Sequence, residues 1–156
     1  MNLLHLLLGA AALLAALLVL LRLSVSVLLV SGPSMTPALR HGQRVLFVRP
    51  GLARLRTGRI VVVTPPAMAT DGRPARTGRP PGGRPLLVKR VAAVAGEPVP
   101  PEVREAAGAA AGDVVPPGRL VLLGDNPGFS TDSRLWGLLP TQSVVGIVLD
   151  GIRPRG

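Results

Sequence analysis

The chain has 156 residues, enough for one domain of ordinary size once an apolar leader is set aside. It has no cysteine and only two histidines, His5 and His41, which excludes disulfides, thiolate nucleophiles and zinc-thiolate sites and leaves no expectation of a metal or other cofactor. Much of the net charge of +10 lies in Arg40 to Arg84, interleaved with Gly and Pro and with few aromatics to stack on bases, so no nucleic-acid partner is expected.

Leu3 to Leu21 form a nearly unbroken run of Leu, Ala, Val and Gly, closed by Arg22. The run is long enough to cross a bilayer, lacks a basic n-region and is longer than a usual secretory h-region, so it reads as a retained anchor in the lipid bilayer. Arg22 after the span weakly favours a cytoplasmic C-terminus by the positive-inside rule. His5 is expected at the membrane interface and not as a ligand.

Val25 to Val30 read as a strand that runs into the turn Ser31-Gly32-Pro33 and delivers Ser34, followed by Met35-Thr36-Pro37-Ala38-Leu39. A serine in this setting can present its hydroxyl and N–H to a substrate, although a plain turn serine fits as well. Gln43 to Val48 and Arg59 to Thr64 predict two more strands. Pro65 to Pro85 is dominated by Pro, Gly and Arg and predicts a flexible surface loop.

Leu86 to Val94 predict a strand that places Lys89 among apolar neighbours Leu86, Leu87, Val88 and Val91. Lys89 is the only lysine of the chain. Arginine replaces lysine wherever a surface charge suffices but stays protonated at physiological pH and cannot act as a base, so a solitary lysine in an Arg-biased chain is a candidate for chemistry, set against chance survival. Pro98 to Pro117 read as a short variable excursion; Leu120 to Leu123 and Val144 to Leu149 predict the last strands. Between them, Gly124 to Gly137 carry the Gly, Asp, Asn and Ser density of a loop that can fold back on itself through charge-assisted hydrogen bonds. Many short strands predict a mainly β domain.

Taken in order, these segments resemble the type I signal peptidases, which are Ser/Lys serine proteases. Ser31-Gly32-Pro33-Ser34-Met35-Thr36-Pro37-Ala38-Leu39 looks like the box around the nucleophile, Arg59 to Val63 like the following structural strand, Lys89-Arg90-Val91 like the general-base box, and Gly124-Asp125-Asn126 with Ser130, Asp132, Ser133 and Arg134 like the final box. Each box alone is weak to moderate evidence, and four in the right order are strong. The resemblance implies an anchor over residues 1–23 and a compact signal-peptidase-like β domain over 24–156. It further implies Ser34 as nucleophile and Lys89 as base, activated by burial that lowers its pKa. Ser130 is similar to the serine that orients the lysine, and Asp132 and Arg134 look like the family's structural ion pair. Asp125 and Asn126 are expected to be structural near the site, and Val30, Met35, Leu39 and Val88 to wall the substrate pocket, with a purely core role equally open.

In the family the oxyanion is held by the nucleophile's own N–H and, in some members, by a hydroxyl two residues earlier. Here that position is Gly32, so Ser34 N–H is the expected donor and a second must be backbone or Ser31. Pro127 stands where the family often has Arg, and Ala93 to Glu97 lacks a common Leu-Pro, which puts substrate range in doubt more than catalysis. The implied function is cleavage of exported precursors bearing signal peptides, after small residues, by a single-pass enzyme of the plasma membrane with its catalytic domain on the extracytoplasmic side. The rivals are a dedicated maturation protease with one precursor, a cytosolic Ser/Lys self-cleaving repressor, and a catalytically dead membrane-tethered binding module. The oligomeric state is left open.

Overall fold

The computed structural model describes residues 5, 7–15, 25–66 and 85–149. In the described domain, seven strands form one antiparallel sheet: Val25–Leu29 (β1), Arg44–Val48 (β2), Ile60–Val63 (β3), Leu87–Val94 (β4), Arg119–Leu123 (β5), Leu139–Pro140 (β6) and Val144–Val148 (β7). Their order across the sheet is β1-β2-β7-β3-β4-β5-β6. The fold is mainly β, as the spacing of apolar runs predicts. Runs such as Ile60-Val61-Val62-Val63, buried throughout, suit a pleated surface that is covered on both faces.

The last long strand inserts between the first hairpin and the rest of the sheet. β7 pairs with β2 at Phe47↔Val148 and with β3 at Val61↔Ile147. Gly146 permits this closure, because a Cβ there would stand 2.1 Å from Phe47 Cδ2. The buried side chains fall into three clusters. One gathers Val30, Met35, Leu39, Val45, Phe47, Ile60, Val62, Val88 and Val148. A second, including Val61, Val63, Val91, Leu120, Leu122 and Ile147, is flanked by Trp136.

The third cluster packs the Pro98 to Pro117 excursion against the sheet. Val99, Val103 and Val115 are buried against Ala93 and Val121 of the sheet. A short helix, Arg104–Ala107, packs against a second short helix, Ser133–Trp136. Gly137 allows the approach: a Cβ there would lie 2.5 Å from the Ala106 carbonyl oxygen. Neither helix nor β6 was expected from the sequence, since a single turn or a two-residue strand carries no period.

Residues 7–15 of the leader are helical, with Leu7, Leu8, Leu13 and Leu14 exposed. Among the described residues no helix is long and apolar enough to cross a membrane. The expected span, Leu3 to Leu21, lies partly outside the described residues, as does nearly all of the expected loop Pro65 to Pro85.

Candidate active site

Strand pairing continues past the end of β1 and sets the Ser34 turn. Val30 N–H donates to Gln43 O at 2.8 Å and Gly42 N–H to Val30 O at 2.9 Å. Gly32, with φ +90, then donates its N–H to His41 Nδ1 at 3.0 Å. That backbone conformation favours glycine, and the bond keeps the chain tied to the facing hairpin arm until the turn begins. Thr36 N–H closes the turn on Pro33 O at 3.1 Å, and Met35 and Leu39 sink into the first cluster as its anchors.

Lys89 sits mid-strand on β4, opposite Val61 of β3. Strand alternation sends Leu87, Lys89 and Val91 to one face. Of the four neighbours expected to desolvate the lysine, Leu87 and Val91 therefore do so with Val61, while Leu86 and Val88 pack in the cluster on the other face. Lys89 is 2% exposed. Trp136 adds a partial roof, its ring centroid 6.0 Å from Nζ. Burial lowers the Lys89 pKa from 10.5 to about 8, against an opposing pull from the Asp132 charge and with a smaller lowering from Arg134.

The Gly124 to Gly137 loop holds the polar groups against this lysine. Lys89 Nζ donates to Ser130 Oγ at 2.7 Å, and Ser130 Oγ donates to Asp132 Oδ2 at 2.6 Å. Asp132 is fully buried and satisfied: Oδ2 also accepts Gly124 N–H at 2.8 Å and Arg134 Nη2 at 2.6 Å, and Oδ1 accepts Arg134 N–H at 3.2 Å as an N-cap. Ser133 Oγ takes the Leu122 N–H at 2.9 Å, fastening the loop to β5.

A second set of contacts ties this loop to the Ser34 turn. Arg90 grips Asp125 through two bonds, Nε to Oδ1 at 2.8 Å and Nη2 to Oδ2 at 2.6 Å. The next residue, Asn126, donates its N–H to Ser34 O at 3.0 Å and its Nδ2 to Pro33 O at 3.2 Å. Ser34 O and Ser130 Oγ both crowd the bare Cα of Gly124: an added Cβ would stand 2.7 Å from the first and 2.1 Å from the second. Ser34, Ser130 and Lys89 thus converge on one locus from three separate segments.

Among the described residues, neither the Ser34 hydroxyl nor its N–H has a hydrogen-bond partner, so Ser34 and Lys89 converge without being bonded to each other. Such contacts commonly tighten only with substrate bound. Gly32, the candidate oxyanion position, could offer only its backbone N–H, and that N–H is engaged by His41. Val30, Met35, Leu39 and Val88, expected as pocket walls, are all buried in the first cluster, with Met35 at 0% exposure. They back any pocket from beneath and present little surface of their own.

Three residues near the site were not singled out by the sequence. His41 lies in an Arg-His-Gly turn seven residues after Ser34, a setting that carries no motif. Trp136 had one available signal, as the only tryptophan of an aromatic-poor chain. Gly124 is legible only as the first residue of the final box.

A family model described as signal peptidase, peptidase S26, matches residues 3–106 and 100–149. No curated protein matches the chain.

Proposed function

This chain belongs to the signal peptidase family, peptidase S26, and from that premise we propose that it is a membrane-anchored serine endopeptidase cleaving exported precursors after small residues, with Ser34 as nucleophile and Lys89 as general base. The observation that carries this reading is the setting of the chain's one lysine: buried, pulled to about pH 8, and held at 2.7 Å by Ser130 beside the Ser34 turn.

In the proposed reaction, neutral Lys89 takes the proton of Ser34 Oγ as that oxygen attacks the scissile carbonyl carbon. The carbonyl oxygen becomes an oxyanion facing Ser34 N–H. The Lys89 ammonium then protonates the departing amine as the C–N bond breaks, leaving an ester on Ser34. Water, deprotonated by Lys89, attacks the ester, and as the bond to Ser34 Oγ breaks Lys89 returns that proton to the serine oxygen, releasing the acid. Lysine suits this cycle only when neutral, and burial supplies that condition.

Among the described residues, two edges support an extended substrate. β1, which leads into Ser34, is an edge strand of the described sheet. On β4, pairing with β5 begins at Arg90, so among the described residues Leu87 to Lys89 are paired on the β3 side alone. A peptide lying between these edges gains main-chain hydrogen bonds, and small side chains fit over a floor backed by Met35, Leu39 and Val88. The apolar run Leu3 to Leu21, whose described part exposes its leucines, supports an anchor. Signal-peptide cleavage sites emerge outside the cytoplasm, which is the reason to assign the catalytic domain to that side.

The test is cleavage of a precursor by the full chain in detergent, with the new N-terminus sequenced. Cleavage after a small residue, lost in Ser34→Ala and in Lys89→Arg, is expected. A folded Lys89→Arg variant keeping more than about a tenth of wild-type kcat/KM, a barrier change below ~1.4 kcal/mol, would sink the Ser/Lys mechanism.

A further inference from the structure

We infer that Asn126 is a positioning residue whose side-chain amide fixes the peptide plane carrying Ser34 N–H, and so aims the oxyanion donor. The inference rests on the protease reading above and adds a role to a residue otherwise read only as structural.

The peptide linking Pro33 to Ser34 is trans, so its carbonyl and its N–H lie in one plane and point in opposite directions. Whatever holds Pro33 O therefore sets the direction of Ser34 N–H. Two donors hold it: Thr36 N–H at 3.1 Å and Asn126 Nδ2 at 3.2 Å. The Thr36 bond lies inside the turn and moves with it. The Asn126 bond comes from the loop that carries Ser130, so it alone of the two refers the peptide plane to the lysine side of the site. Pro33 O can only accept, so the side chain must present its NH2 group here, which settles the amide orientation.

The main chain of Asn126 reinforces the grip by donating to the next carbonyl, Ser34 O, at 3.0 Å. Behind it, Asp125 is clamped by Arg90, the strand neighbour of Lys89. The base and the oxyanion donor are thereby tied through a run of short contacts: Lys89 to Arg90 along the chain, Arg90 to Asp125, then Asn126 to Pro33. On the turn's other flank, Gly32 N–H is held by His41. Ser34 N–H, between these two restraints, has no partner among the described residues and is left to meet a substrate oxygen. A donor that needs no reorientation during reaction is where such stabilisation is largest.

The experiment compares Asn126→Ala and Asn126→Asp with wild type on one precursor peptide, measuring kcat, KM and thermal unfolding. Asp keeps the shape and the backbone bond to Ser34 O but, when ionised, puts a carboxylate against Pro33 O. Both variants are expected to lose kcat by about 30-fold with KM within about twofold, since substrate binding does not use the oxyanion donor. In Asn126→Ala the pH midpoint of kcat/KM should stay at the wild-type value, because no contact of Lys89 is changed. Retained kcat in either variant would overturn the inference, as would a loss carried by KM. Failure of both to fold would also overturn it, making Asn126 a residue of the fold. If wild type cleaves nothing, or Ser34→Ala cleaves as well as wild type, the protease reading itself fails; Asn126 variants that match a working, Ser34-dependent enzyme defeat only the positioning role.

Discussion

Lys89 Nζ donates to Ser130 Oγ at 2.7 Å, and the serine passes its own proton toward Asp132 at 2.6 Å. The direction of these bonds matters. A neutral amine has two N–H groups and one lone pair, so donating to Ser130 fixes the amine's rotation while leaving the lone pair to face elsewhere. Ser130 can hold Lys89 as acceptor because Asp132, already fixed by Gly124 N–H and Arg134, takes its hydroxyl proton.

Ser130→Ala is accordingly expected to lower kcat/KM by about tenfold to a hundredfold, the cost of a hydrogen bond to a charged or charging group. Ser34→Ala should abolish cleavage, since a nucleophile has no substitute but an orienting hydroxyl can be replaced in part by water. Equal losses in the two variants would contradict the assignment of an orienting role to Ser130.

The pH profile follows from the Lys89 environment. Only the neutral amine accepts a proton, so kcat/KM should rise with unit slope and level off above about pH 8. Arg134 contributes to lowering that pKa, whereas Asp132 raises it. Arg134→Gln is therefore expected to move the midpoint to higher pH, with circular dichroism confirming the fold. A midpoint that stays put or moves down would show that Arg134 does not act electrostatically on Lys89.

Much of this arrangement was legible in the sequence, for reasons that differ by residue. The β-branched runs gave six of the seven strands because alternation or continuous burial over four or more residues leaves a pattern. Ser130, Asp132 and Arg134 were legible as a polar loop, and the structure brings the three together with Lys89. The Asn126 contacts were not legible, since they join residues some ninety positions apart by two hydrogen bonds with no periodic trace. The bond from Gly32 N–H to His41, only nine positions apart, likewise leaves no periodic trace. The packing of the excursion leaves no pattern in the sequence because its valines, Val99, Val103 and Val115, are separated by Ala, Pro and Gly, yet they meet in one cluster.

Gly124 offers a steric test. A Cβ at this position would collide with Ser130 Oγ, which can rotate, and with Ser34 O, which is backbone and cannot move alone. Gly124→Ala is expected to destabilise the fold by about 1–3 kcal/mol, as overpacking does, and to lower kcat/KM by more than that destabilisation accounts for, because the displaced atoms belong to Ser34 and Ser130. Urea denaturation and peptide cleavage on the same preparation measure both effects. Wild-type activity in the variant would mean that Ser34 and Ser130 need not approach each other over this glycine.

Finally, the buried lysine should leave a signature on stability that is unusually clean to read. In the unfolded chain Lys89 holds its proton up to about pH 10.5, whereas in the folded chain it releases it near pH 8. Below pH 8 both states are protonated and folding bears the full cost of burying the ammonium, on the order of 3 kcal/mol. Between pH 8 and 10.5 the unfolded state binds more protons, so stability rises with pH; above 10.5 both states are neutral and the cost has gone. The chain has no Cys, no Tyr and no other Lys, so no other side chain titrates in that window. Chemical denaturation of the full chain at pH 7 to 11 should thus show wild-type stability climbing. Lys89→Met should be flat over the same range and more stable than wild type at pH 7, since it removes the ammonium while Ser130 keeps its bond to Asp132. Parallel curves for the two proteins would show that Lys89 is not held in a desolvated site, and the base proposed for catalysis would lose its physical ground.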